Sequence, residues 1–300
     1  MIYKFQMTTI VYPCQPLADE ILAKCRQSAQ EFAKKYGRKP CLAVVLVGED
    51  PASKIYVGKK SATCQANGLE PQDVRLPANI SQSDLEREIL RLNQDENVDG
   101  ILVQSPLPRP LDEKRIQFLI DPQKDVDCFH PLNFGKLALD PLRALAEGLV
   151  PCTPAGAMEV LRANNISIEG AHAVVIGRSN IVGKPMALFL QAANATVTLC
   201  HSRTRNLAAV SREADILVVG IGKARFVGKD FVKPGAALID VGINRISEGG
   251  KNRVVGDIDA KAVDGIAGFL TPVPRGIGPM TIALLIRNTV RAAFLQRSKA

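Results

Sequence analysis

The 300-residue chain contains no tryptophan, four tyrosines and three histidines, and aromatic residues make up only 5% of it. Stacking platforms for nucleic-acid bases are therefore scarce. The net charge of +8 is also dispersed, with no five-residue block of Lys and Arg. A nucleic-acid binder concentrates both features on one face, so no nucleic-acid partner is expected. The surplus charge suits anionic small molecules such as phosphates and polyglutamates. Seven cysteines, at 14, 25, 41, 64, 128, 152 and 200, are odd in number and scattered, and form no C-x-x-C pair. That excludes a disulfide framework or zinc site and suggests buried thiols in a reducing cytosol. Histidines 130, 172 and 201 form no ligand pattern, so no metal is expected. The longest apolar runs, such as Leu42 to Val47, fall far short of a membrane span. Met1-Ile2-Tyr3-Lys4-Phe5 lacks a signal-peptide h-region. A cytoplasmic protein without a membrane partner is the expectation.

What is present is ordinary for a globular chain: 46% hydrophobic and 23% charged residues, enough for one large or two ordinary domains. No internal repeat or low-complexity tract is visible. Apolar runs of strand length alternate with helical patterns, which argues a parallel α/β architecture. In the first half, strands are expected at Cys41 to Val47 and Gly100 to Gln104, with helices near 17–36, 51–67, 82–94 and 112–120. A break is expected at Pro151-Cys152-Thr153-Pro154, where Thr153 caps and Pro154 starts a helix to about Ala163. The second half reads as strands at 172–177, 195–200, 215–220 and 236–241. A helix from about Met280 to Leu295 closes the chain.

The most informative stretch is Gly177-Arg178-Ser179-Asn180-Ile181-Val182-Gly183-Lys184-Pro185. It follows the apolar run Ala173 to Ile176 and opens a helix-like segment. Strand, glycine turn and helix is where a dinucleotide pyrophosphate docks, because free backbone N–H groups and the helix dipole converge there. The next strand ends in His201-Ser202-Arg203-Thr204, where an NAD site places a carboxylate for the ribose 2′-OH. A hydroxyl and a guanidinium stand here instead, with Arg178 as a second cation. Arginines pair bidentately with a 2′-phosphate that a carboxylate would repel. The reading is NADP rather than NAD; the bland alternative is a doubly wound domain with solvated surface arginines.

In the first half, Asp50-Pro51 starts a helix and Gly68 stops it. Tyr56 and Lys60 lie four apart on it and share one face, suited to stacking and proton transfer, although Lys54, Lys59 and Lys60 also suit an ordinary exposed face. Gln104 stands at a strand's carboxyl end before the proline-stiffened Ser105-Pro106-Leu107-Pro108. Lys124-Asp125-Val126-Asp127 holds two acids two apart, one suited to accept hydrogen bonds from a heterocycle's amino group and the other to solvent. Thr271-Pro272-Val273-Pro274-Arg275-Gly276-Ile277-Gly278-Pro279 is either a ligand-facing loop or a rigid linker.

Together and in this order, from about Tyr56 to Thr281, these segments resemble the bifunctional methylenetetrahydrofolate dehydrogenase/cyclohydrolase family. Tyr56-x-x-x-Lys60 resembles its substrate-stacking tyrosine and catalytic lysine. Val103-Gln104-Ser105-Pro106-Leu107-Pro108 resembles V-Q-L-P-L-P, whose glutamine positions that lysine. Lys124 to Asp127 resembles K-D-V-D-G, whose second aspartate holds the pterin. The cofactor half and the terminal loop match closely. The resemblance implies two α/β domains with the active cleft between them: residues 1–150 plus 275–300 bind folate, and 151–274 form a Rossmann-type, parallel-sheet NADP-binding domain. It implies that Gly177, Arg178, Ser179, Gly183, Ser202, Arg203 and Ile243 bind NADP, that Pro274, Gly276 and Gly278 lie near folate, and that the chain forms a homodimer. The implied function is NADP-dependent oxidation of 5,10-methylenetetrahydrofolate and hydrolysis of the methenyl product to 10-formyltetrahydrofolate; the alternative is a dehydrogenase-only relative. Three positions depart from the family. Cys128 stands where glycine follows the pterin aspartate, so its backbone is not expected to adopt φ > 0 freely. Arg275 replaces a loop glycine, either clamping folate glutamates or obstructing the pocket. Val11 to Ala18 lacks a D-G-K-like signature.

Overall fold

A computed structural model describes residues 8–298; the N-terminal stretch Met1 to Phe5 lies outside them. The chain begins with β1 (Ile10–Val11), α1 (Gln15–Tyr36), β2 (Cys41–Val47), α2 (Pro51–Ala66), β3 (Glu70–Leu76), α3 (Gln82–Gln94) and β4 (Gly100–Val103). Four helices follow: α4 (Glu113–Leu119), α5 (Pro131–Leu139), α6 (Pro141–Glu147) and α7 (Cys152–Ala163). Next come β5 (His172–Ile176), α8 (Gly183–Ala192), β6 (Thr196–Cys200), α9 (Leu207–Ser211), β7 (Ile216–Val219) and β8 (Ala237–Asp240). The last elements are β9 (Asn244–Glu248), β10 (Lys251–Val255), α10 (Ala260–Val263), β11 (Phe269–Leu270) and α11 (Ile277–Arg297).

Two compact units emerge. One contains 8–18 with Thr153–Thr281, the other Asp19–Cys152 with Ile282 onward. This differs from the expected division at both ends. Residues 8–18 join the second-half unit because β1 pairs in parallel with β11, Ile10 opposite Phe269. Residues 275–281 stay there too: the Cys14 N–H donates to the Arg275 carbonyl at 2.9 Å, and Gly276 lies tight against the Pro272 carbonyl.

The first-half unit is built on a three-stranded sheet, order β3-β2-β4, all parallel. Every residue of β2 is buried, as a strand covered on both faces requires. Helix α3 explains one cover. Ser81 caps it by accepting the Asp84 N–H, and Leu85, Ile89 and Leu92 recur at helical spacing. They pack on Ala43, Val45, Ile101 and Val103, and each such side chain contributes about 1.5–3 kcal/mol on full burial. Strand β3 was not expected. Its sequence, EPQDVRL, is polar, but as an edge strand it draws stability from a full seven-residue ladder with β2, and an edge tolerates its proline. Helices α5 and α6 were also missed. Each opens on proline behind a capping side chain, His130 or Asp140.

The second-half unit carries a six-stranded parallel sheet, order β1-β11-β8-β7-β5-β6. The chain leaves β5 to one side for β6 and returns to the other for β7. That reversal is the topological switch point where α/β folds bind ligands, outside the strands' carboxyl ends. Val174, Ile176, Leu217, Val219 and Leu238 build the core beneath. Past β8, where a loop was expected, β9 and β10 form an antiparallel hairpin. Gly249 and Gly250 both take φ > 0 at its tip, the requirement of a tight two-residue turn. Thr153, expected to cap α7, lies inside that helix, which starts at Cys152; its hydroxyl meets Thr281 Oγ1 at 3.1 Å.

Candidate active site and cofactor turn

Asp50 accepts the Ser53 N–H, and Pro51 opens α2. The helix buries Ser53, Val57 and Cys64, which sets its rotation and leaves Tyr56 and Lys60 half-buried while Lys54 and Lys59 are exposed. Lys54 pairs with Glu49. Lys60 instead donates to Gln104 Oε1 at 3.0 Å. Gln104 is held at both ends: its backbone N–H continues the sheet ladder to the Val45 carbonyl at 2.9 Å, and its Nε2 donates to the Ser105 carbonyl at 2.7 Å. With the NH₂ group so committed, the amide oxygen has to face the ammonium.

Asp127 follows a tightly pinned segment. The Ile101 N–H donates to the Lys124 carbonyl at 2.7 Å, and buried Lys124 donates to the Leu92 and Asp95 carbonyls at the end of α3; burial pushes its pKa down. Asp125 turns inward to accept the Phe129 and His130 N–H groups and Asn133 Nδ2. Burial raises its pKa against those donors. From α11, Asn288 donates to the Val126 and Val150 carbonyls at 2.8 and 2.7 Å. Asp127 itself is half-buried. Burial pushes its carboxyl up to about 6; the Lys60 charge pulls it down and the Asp125 charge pushes it up. Asp125 is thus structural, buried rather than solvated, while Asp127 is electrostatically coupled to Lys60. Cys128 corrects the sequence expectation: it does adopt the left-handed region, at φ 59, held by its N–H on the Asp125 carbonyl at 3.2 Å. A non-glycine residue there costs about 1–2 kcal/mol, which the surrounding hydrogen bonds offset.

The glycine turn is equally specific. Gly177 has φ 126, and a Cβ there would stand 2.3 Å from the Gly220 carbonyl. The ends of β5 and β7 therefore touch through backbone at the switch point. A Cβ on Gly183 would meet the Gly177 carbonyl at 2.0 Å, so both glycines are needed for α8 to approach the turn. The Ser179 hydroxyl accepts the Val182 N–H at 3.1 Å and the Gly183 N–H at 3.4 Å. Arg178, Ser202 and Arg203 are exposed, and Ile243 is 50% exposed. This turn, with the exposed Arg178 in it and the exposed Arg203 at the next strand end, fits a phosphorylated dinucleotide. Pro274, Gly276 and Gly278 lie in the same unit. Arg275 takes φ 80, keeping a glycine-like backbone where the family has glycine.

Sequence reasoning missed the residues that brace these loops. Asp257 accepts the Ile221, Gly222 and Lys223 N–H groups and Asn244 Nδ2. Asp240 accepts the Gly242, Asp257 and Ile258 N–H groups, and burial pushes it up to about 6. Asp257 directly follows Gly256, a local signal; Asp240 meets that glycine from sixteen positions away, which only the fold brings about.

A parallel nucleotide-binding sheet with a glycine turn at its switch point, and an α/β unit with a lysine–amide–carboxylate group, define a nucleotide-dependent enzyme of two α/β domains. The family model for the tetrahydrofolate dehydrogenase/cyclohydrolase catalytic domain matches residues 13–127, and that for its NAD(P)-binding domain matches 151–297. The bifunctional protein FolD of Acetivibrio thermocellus is 50% identical over 266 residues, covering 89% of this chain and 90% of that protein. That of Caldicellulosiruptor saccharolyticus is 51% identical over 272 residues, covering 90% and 95%. The crystal structure of the bifunctional methylenetetrahydrofolate dehydrogenase/cyclohydrolase of Campylobacter jejuni superposes with a TM-score of 0.89 at 44% identity, covering 95% of this chain and 98% of that one. The Trypanosoma brucei enzyme, complexed with NADP cofactor and inhibitor, gives 0.91 at 35% identity, covering 98% and 99%. The chain belongs to the tetrahydrofolate dehydrogenase/cyclohydrolase family. It is an enzyme with both family activities, and the dehydrogenase-only alternative is not favoured.

Proposed function

We propose that the chain oxidises 5,10-methylenetetrahydrofolate to the methenyl cation with NADP, then hydrolyses that cation to 10-formyltetrahydrofolate, with Lys60 as the proton-transfer group. The observation that carries the assignment is the 3.0 Å bond from Lys60 Nζ to Gln104 Oε1. It orients the amine without consuming all of its donors. NADP, when bound, supplies the hydride acceptor. In the hydrolytic step water adds to the methenyl carbon and releases one proton; as the formyl C=O forms, the bond from that carbon to N5 breaks and the remaining hydroxyl proton passes to N5. Lys60 mediates the proton movements, Gln104 orients it, Tyr56 stacks on the folate ring and Asp127 accepts hydrogen bonds from the pterin. Gly177, Ser179 and Gly183 shape the turn for the pyrophosphate; Arg178, Ser202 and Arg203 read the 2′-phosphate; Ile243 offers an apolar contact. Pro274, Gly276 and Gly278 border the folate, and the exposed Arg275 guanidinium suits glutamyl carboxylates.

Two further readings belong with this one. The β6 edge, with Leu199 39% exposed, supports a homodimer, since an exposed sheet edge invites pairing. Seven buried free thiols support a reducing, cytoplasmic setting. No helix among the described residues is long and apolar enough to cross a membrane. The deciding experiment is Lys60→Met: hydrolysis of methenyltetrahydrofolate, followed by its absorbance without nucleotide, is lost. A variant that hydrolyses at the parental rate refutes the role of Lys60.

A further inference from the structure

Gln104 is useful to Lys60 only while its amide points one way, and that orientation is set by Ser105. The Ser105 carbonyl takes the Gln104 Nε2 donor at 2.7 Å. What holds Ser105 is a carboxylate on another element. Glu113, in the first turn of α4, accepts the Ser105 hydroxyl on Oε1 at 2.6 Å and the Leu107 N–H on Oε2 at 3.0 Å. Gln117, one turn further along α4, donates to the same Oε1 at 3.2 Å. Helix α4 is itself anchored. Asp112 accepts the Arg115 N–H, its own N–H donates to Gln82 at the start of α3, and Ile116 is fully buried.

We propose that Glu113 is a positioning residue for hydrolysis, acting through Ser105 and Gln104 on the Lys60 amine. Three observations support it. Both carboxylate oxygens are committed to the two residues flanking Pro106, so the loop's position is read directly from α4. Charge-assisted bonds of this length are among the stronger ones a side chain makes. And Gln117 donates to the same carboxylate at 3.2 Å, so Glu113 is itself held in place.

The inference rests on the proposed role of Lys60. Its test uses the full chain with Glu113→Ala, Glu113→Gln and Ser105→Ala. Methenyltetrahydrofolate hydrolysis is measured without nucleotide and methylenetetrahydrofolate oxidation with saturating NADP⁺. Displacement of a positioned group by about 1 Å costs on the order of 100-fold. The hydrolytic kcat of Glu113→Ala is therefore expected to fall about 10- to 100-fold, with a much smaller loss of dehydrogenase kcat, so that the ratio of the two activities drops about tenfold. Glu113→Gln, which keeps an acceptor, recovers part of the loss. Ser105→Ala lowers the ratio in the same direction while leaving the Leu107 contact. Equal losses in both activities mark a general structural role and overturn the proposal, as does an unchanged ratio. If Glu113→Ala does not fold, an unchanged ratio in Glu113→Gln and Ser105→Ala overturns it. Should Lys60→Met abolish hydrolysis while these variants keep the parental ratio, the relay falls and the role of Lys60 stands. Should Lys60→Met hydrolyse normally, both fall.

Discussion

Replacing Asp127 by asparagine isolates the energetic cost of the carboxylate assigned to the pterin. Burial lifts its pKa from 3.8 to about 6 despite the attraction of Lys60. A raised carboxyl pKa means that the folded state binds a proton more tightly than the unfolded one. Its favourable contribution is complete below 3.8 and is lost as pH rises through about 6. At pH 8 the ionised group costs the folded protein roughly 3 kcal/mol, at ~1.36 kcal/mol per pKa unit. Because the side chain is only half-buried, about 2 kcal/mol is the expected net value. Asparagine keeps the shape and removes the charge. Asp127→Asn is therefore expected to unfold later than the parent at pH 8, by roughly 4–8 °C at the midpoint. The advantage shrinks to about half at pH 5, where the parent's carboxyl is mostly protonated in the fold but not in the unfolded chain. Folate turnover falls at the same time, the usual exchange of stability for function. Paired thermal and urea unfolding at pH 5 and pH 8 measures both. A variant less stable than the parent at pH 8, or an advantage that grows on acidification, refutes the reasoning.

Three other perturbations have definite outcomes. Arg178→Ala removes a cation assigned to the 2′-phosphate, and a charged hydrogen bond is worth about 1.5–3 kcal/mol; the KM for NADP⁺ rises by roughly 10- to 100-fold while that for NAD⁺ barely moves, and equal increases refute the assignment. Gly183→Ala places a Cβ 2.0 Å from the Gly177 carbonyl, where backbone on both sides must yield at about 1–3 kcal/mol. Dehydrogenase activity then collapses through NADP⁺ binding while nucleotide-free hydrolysis persists, and an unaltered KM for NADP⁺ counts against the turn. Arg275→Gly removes a left-handed arginine that costs about 1–2 kcal/mol, largely offset by the roughly 0.5–1 kcal/mol entropy penalty of glycine. Stability stays near the parent's, and any preference for polyglutamylated over monoglutamylated substrate is lost; a preserved preference excludes the clamp.

The reading from sequence succeeded where the governing physics is local. Strands β2, β5, β7 and β8 are continuous apolar runs, and such runs demand burial wherever they lie. Caps and breakers gave α2 nearly to the residue, because Asp50, Pro51 and Gly68 act on their own neighbours. The Gly177 turn was legible for the same reason: a strand, a glycine at φ 126 and a helix form one contiguous device. Strand β3 was illegible because its residues are polar and only the ladder on β2 makes them a strand. The hairpin of β9 and β10 carried a signal in Gly249-Gly250, outweighed by the polar sequence around it.

The unit boundaries and the braces beneath the site belong to tertiary structure. Nothing near Ile10 announces that it pairs with Phe269, 259 positions away. Sequence alone determined which residue types were available: a lysine one helical turn after a tyrosine, a glutamine at a strand end, and arginines where a carboxylate would select NAD. Only the folded chain decided that Lys60, not Lys54 or Lys59, turns to Gln104, and that Glu113 holds the loop from another helix. Those choices depend on helix rotation and on contacts between segments far apart in the chain, and both are set by the packing of the core rather than by any residue's own preference.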